Sequence, residues 1–142
     1  MTEERVVEFC DEHRRSLVRL SYEPMDEDVG TLLVQMRAEG LACDLPVESG
    51  RGDGLHGFLA ELEGDWRGWR GIRHWETIWQ ELSIDATHRG HTVELMFVLR
   101  VPYRGSEPGA PDLEVRLPID VPPGEPLSRL ASATARLVTP RS

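Results

Sequence analysis

Apolar and polar residues alternate along most of the first fifty positions, and a period of two is the mark of strands with one buried face. In residues 14–22, Val18, Leu20 and Tyr22 fall on one side while Leu17, Arg19 and Ser21 fall on the other. Residues 6–10 form a shorter candidate strand before it. In residues 31–39, Leu32, Val34, Met36 and Ala38 oppose Thr31, Gln35, Arg37 and Glu39. Gly40 breaks that run, and Leu41, Cys43, Leu45 and Val47 predict a paired return strand. The Gly-rich stretch 48–54 fits neither period and reads as a connection.

The period then changes. Leu55, Phe58, Leu59, Leu62 and Trp66 follow i, i+3, i+4, i+7 and i+11, the stripe of a helix packed on a core. Asp53 is a candidate cap, and the ring of Trp66 is expected beneath the helix. Three strands follow. Ile78, Leu82, Ile84 and Ala86 share one face; residues 93–101 and 113–121 alternate in the same way; and residues 87–91 read as a hairpin turn in which Gly90 supplies positive φ. Pro118 predicts an edge or bulged strand. A last helix begins near Glu125, with Leu127, Leu130, Ala131, Thr134, Leu137 and Val138 on one face. The expected fold is a single α+β domain over residues 1–142, an antiparallel sheet of about six or seven strands with two helices packed on one face. The two halves share an outline of strands followed by a helix, but no residue pattern repeats between them.

Composition narrows the class. A chain of 142 residues with 39% hydrophobic and 29% charged positions is one folded domain and not a disordered or collagen-like polymer. No apolar run approaches the ~20 residues that span a bilayer, and the first residues lack a secretory pattern, so a cytoplasmic location is expected. The formal charge of -9 disfavours nucleic acid and anionic membranes and favours a basic protein partner. The charge is uneven: residues 1–53 hold 13 acidic side chains against 6 arginines, whereas residues 92–142 hold 6 of each. Cys10 and Cys43 are too few for a disulfide scaffold or a four-thiolate zinc site.

Little in the sequence has the form of a catalytic site. His88 and His91 flank a turn without further metal ligands nearby. His74 and Glu76 share a strand face at i and i+2, which could place an acid beside a base, but no nucleophile motif accompanies them. Residues 50–54 lack the Lys and Ser/Thr of a phosphate-binding loop, and their Arg-Gly-Asp tripeptide is read as accidental. No cofactor, metal or catalytic residue is expected. Two features suit recognition. All four tryptophans, Trp66, Trp69, Trp75 and Trp79, lie within fourteen residues among Arg67, Arg70 and Arg73, and Asp26, Glu27 and Asp28 crowd one loop. Asp26, Glu27, Asp28, Arg67, Trp69, Arg70 and Trp79 are therefore the candidate contact residues, with Trp69 and Trp79 expected to be exposed.

The segment Phe58-Leu59-x-x-Leu62 through Trp66-Arg67-Gly68-Trp69-Arg70-Gly71, with Trp75-Glu76 and residues 82–88, resembles a bacterial family of unknown function, numbered 6228. The likeness spans about residues 15–138, and that family carries no assigned activity. Its layout is similar to immunity proteins of the WapI type, which implies a protein that binds and neutralises a toxin. The expected function is a non-enzymatic protein-binding domain. The alternative is a small-molecule-binding domain or small enzyme with a pocket near His74, Glu76 and the Trp cluster.

Overall fold

The computed structural model describes residues 5–101 and 113–137. Val138, expected on the face of the last helix, lies outside them. Four strands, β1 (Val6–Cys10), β2 (Leu17–Pro24), β3 (Gly30–Ala38) and β4 (Leu41–Ser49), are followed by a short turn (Arg51–Gly54) and helix α1 (Leu55–Gly64). Strands β5 (Ile72–Glu76), β6 (Leu82–His88), β7 (Val93–Val101) and β8 (Leu113–Val121) then lead into α2 (Glu125–Leu137).

The strands form two separate antiparallel sheets of four, ordered β1-β2-β3-β4 and β5-β6-β7-β8. This corrects the expectation of one sheet of six or seven strands with both helices on one face. Within each sheet every strand pairs with its neighbour in the chain, as sequential strands commonly do. The turn and α1 interrupt that series between β4 and β5. Both of those strands are consequently edges, and each half of the chain is a four-strand meander followed by a helix. The eighth strand is β5, where Ile72 and His74 are exposed and Trp75 alone is buried, leaving no apolar stripe to read.

One core joins the two sheets and the helices. Leu20 and Val34 face inward in register in the first sheet, while Trp75, Ile84, Phe97 and Leu117 make a continuous inward row across the second. Phe9 of β1 meets Phe97 of β7 with ring centroids 5.0 Å apart and planes tilted by 59°, a favourable aromatic arrangement that couples the sheets. Helix α1 buries Leu55, Phe58, Leu59 and Leu62, and α2 buries Leu127, Ala131, Thr134 and Leu137. The helices pack on each other, and α2 also lies along β1. Each fully buried Leu or Phe contributes about 1.5–3 kcal/mol of transfer free energy. The Thr134 hydroxyl is satisfied inside this apolar surface by donating to the Leu130 carbonyl at 2.7 Å.

Several local expectations shift. Helix α1 ends at Gly64, and Asp65 leaves helical geometry at φ -105, ψ 32. Trp66 therefore rotates off the stripe and is 46% exposed. Ile78 stands outside β6 and is 64% exposed, because the strand starts only at Leu82. Asp53 does not cap α1: its Oδ1 accepts from the Gly50 N–H at 3.1 Å, and Gly54 holds the cap position without a side-chain bond. Gly90 turns the β6–β7 hairpin at φ +93, and Pro118 lies on the edge strand β8.

Candidate functional site

The connection between β2 and β3 is built by its first aspartate. Asp26 Oδ1 accepts from the backbone N–H of Asp28 at 2.8 Å and of Val29 at 2.9 Å, a local bond pattern that Asp favours in turns. It leaves Glu27 and Asp28 exposed. Arg51 crosses from the Gly-rich turn, donates from Nε to the Glu27 carbonyl and places a guanidinium nitrogen 3.4 Å from the Asp28 carboxylate. The arginine of the Arg-Gly-Asp tripeptide is thus committed to the protein's own loop.

Beside this loop runs the edge strand β4, whose Glu48 pairs with Thr31 in register. A depression of about 490 Å³ lies between them, bordered by Met25, Asp26, Thr31, Pro46 and Glu48. Glu48 also receives a hydrogen bond from the indole N–H of Trp79, at 2.6 Å. That contact brings the β5–β6 turn of the second sheet against the acidic edge of the first. Trp79 is 64% exposed, so its ring presents a fixed apolar face to solvent. Glu81 has its carboxyl raised above the ordinary range, first by partial burial and then by the negative charge of Glu48. Acidic groups here repel one another, and an incoming cation would relieve that repulsion.

Arg67, Trp69 and Arg70 sit elsewhere. His88 Nδ1 accepts from the Gly90 N–H at 3.0 Å, which leaves its Nε2–H to donate to the Trp66 carbonyl at 2.8 Å. The edge of Trp69 packs on His88 with centroids 5.2 Å apart, and Trp69 Nε1 donates to the Ala86 carbonyl at 3.4 Å. Arg73 lies 4.9 Å over the Trp69 ring and pairs with Asp65 at 2.8 Å. Trp69 is accordingly half-buried against the core, not the exposed ring expected, while Arg67 and Arg70 are exposed. This cluster is at the His88 end of β6 and Trp79 precedes the Leu82 end, so about 20 Å of strand separates them. The structure therefore links the loop of Asp26, Glu27 and Asp28 to Trp79 through Glu48, which borders the same depression as Asp26 and bonds the indole, and sets Arg67, Trp69 and Arg70 apart. Glu48 and Glu81 complete the first group, and only the nonlocal approach of β4 to the β5–β6 turn reveals them.

The remaining candidates make contacts of their own. His74 Nδ1 lies 2.6 Å from Asp85 and its Nε2 3.3 Å from Glu76. Asp85 from the neighbouring strand is the partner that spacing along one strand could not reveal. The Asp85 hydrogen bond, ahead of the Glu76 contact, raises the His74 pKa above its ordinary 6.5. With both ring nitrogens facing carboxylates, the charged imidazolium is favoured over the neutral ring. In the Gly-rich turn the Gly52 N–H is taken by Ser49 Oγ at 2.7 Å and the Asp53 N–H by the Gly50 carbonyl, so these amides do not form a phosphate cradle. Among the described residues no three His, Cys, Asp or Glu side chains gather to hold a metal, and no helix is long and apolar enough to cross a membrane.

The segment from Phe58 through the Trp/Arg cluster to β6 lies inside a match of residues 9–141 to the model of a family of unknown function, DUF6228. The chain belongs to that family. No curated protein and no solved structure matches this DUF6228 chain.

Proposed function

We propose that this DUF6228 domain is a non-enzymatic protein-binding module whose partner is basic and docks on the face formed by Asp26, Glu27, Asp28, Glu48 and Trp79. The observation that carries the reading is Trp79, an exposed indole fixed by its bond to Glu48. A ring already held in place needs little further ordering on binding, and aromatic anchors dominate many interfaces. The carboxylates around it favour partners rich in Lys and Arg and speed their encounter. A basic toxin domain, neutralised by this chain in the manner of an immunity protein, has that chemistry.

The test compares three baits in affinity capture from the native host. These are the wild-type chain, a face variant carrying Glu27→Lys, Asp28→Lys and Trp79→Ala, which leaves the loop-building Asp26 in place, and a control carrying Arg67→Ala and Arg70→Ala. The expected result is a basic protein retained by wild type and control but lost by the face variant, with an association rate that falls steeply with salt. If every captured protein binds the face variant as well as wild type, the proposal is wrong.

A further inference from the structure

A groove of about 910 Å³ runs between β1 and α2, on the edge of the first sheet opposite β4. Strand β1 pairs with β2 alone among the described residues, so one row of its backbone N–H and C=O groups faces away from the sheet. Val7, directed to the core, and Glu8, directed outward, both line the groove, which places it along that free edge. Across from them, α2 supplies an apolar wall from Leu130 and Ala133, with Arg129 and Arg136 at its rim. Three arginines, Arg19 among them, line the groove against Glu8 and Glu12. The balance is positive on a chain whose formal charge is -9. The five residues of β1 offer an edge of about 17 Å, the length of a five-residue strand.

An edge strand facing a helix across an apolar floor is the geometry in which an extended peptide adds to a sheet, with main-chain bonds giving affinity and alternate side chains giving selectivity. We infer that this groove binds an extended segment of another protein by strand addition to β1. Its apolar side chains lie against Leu130 and Ala133, and its acidic side chains point toward Arg129 and Arg136. This site shares no residue with the acidic face, so either one stands if the other fails.

Random dodecapeptides displayed on phage and panned against the full chain supply the probe. Two variants report the site: Ala133→Trp fills the groove, and Arg129→Glu with Arg136→Glu reverses two exposed side chains without touching the core. Cys10 lines the groove while Cys43 lies on β4, so the two free thiols serve as probe and internal control. Enriched peptides are expected to carry alternating apolar residues and at least one acid, and to slow maleimide alkylation of Cys10 about tenfold while leaving Cys43 unchanged. They should lose about tenfold in affinity on the double charge reversal, as loss of attractive pairs in a binding groove does. The inference is overturned if no peptide is enriched, if enriched peptides leave Cys10 alkylation unaltered, or if they bind the charge-reversed chain undiminished. Peptides that bind as helices would also contradict it.

Discussion

The indole N–H of Trp79 donates to the Glu48 carboxylate at 2.6 Å and so ties the turn before β6 to the edge strand β4 of the other sheet. The residues are 31 positions apart in sequence. The bond fixes an aromatic ring at the margin of an acidic loop without burying it. Exposed hydrogen bonds of this kind add little to stability, roughly 0.5–1.5 kcal/mol. Replacing Trp79 by Ala should therefore lower the melting temperature by no more than about 5 °C. Iodide quenching of the wild-type chain should reach the Trp66 and Trp79 rings and spare Trp75. Single-tryptophan variants check this, and a shielded Trp79 would contradict it.

Trp75 shows the opposite balance. Its ring is 7% exposed, it heads the inward row shared with Ile84, Phe97 and Leu117, and its N–H donates to the Asp53 carbonyl at 2.9 Å. Trp75→Ala should cost about 3–5 kcal/mol, a large share of the ~5–15 kcal/mol that holds such a domain folded. Trp75→Phe, which keeps most of the packing and gives up the bond, should cost less. Urea denaturation of the two variants checks the order.

What the sequence revealed and what it hid divide along the same line. The stripe Leu55, Phe58, Leu59, Leu62 and the alternation of β3 and β7 are local periodicities, and the elements they predict are present. Trp66 fitted the same stripe, but a stripe contains no signal for where the helix stops, and α1 ends at Gly64. Strand β5 is not legible in the sequence, because an edge strand with one buried residue has no apolar alternation. The division into two sheets depends on which strand edges meet, and alternation within a strand is silent on that. The acidic loop was legible as a charge run and Trp79 as a residue on a polar face. Their union through Glu48 was not, because the contact joins two sheets.

Gly30 is held to glycine by close approach. A Cβ there would lie 2.5 Å from Cζ and the hydroxyl of Tyr22 and 2.7 Å from the Glu23 carbonyl. Tyr22 is buried and cannot swing clear without opening the core. Gly30→Ala should destabilise the fold by about 1–3 kcal/mol, the usual cost of overpacking. Because Gly30 directly follows the acidic loop, the loss should be accompanied by faster amide exchange across residues 25–31.

His74 makes stability depend on pH with a defined sign. Its folded pKa is raised above 6.5, first by Asp85 and then by Glu76, so the fold binds the imidazolium more tightly than the unfolded chain does. The contribution is fully present below about pH 6.5 and is lost as pH rises through the folded value. All three side chains are more than a third exposed, and solvent screening keeps the effect small. The urea midpoint should fall as pH is raised through this window, and His74→Gln should flatten that decline. A midpoint that rises over the same window in wild type and not in the variant would reverse the assignment.

Amide hydrogen exchange on the chain, alone and saturated with the partner captured on the wild-type bait, tests the acidic-aromatic face most directly. Protection is expected at residues 25–31, 46–49 and 77–81, which come from three separate stretches of sequence and meet only around Glu48 and Trp79, with residues 66–71 unchanged. Protection confined to residues 66–71, or none at the acidic loop, would contradict the proposal that this face is the one the partner binds.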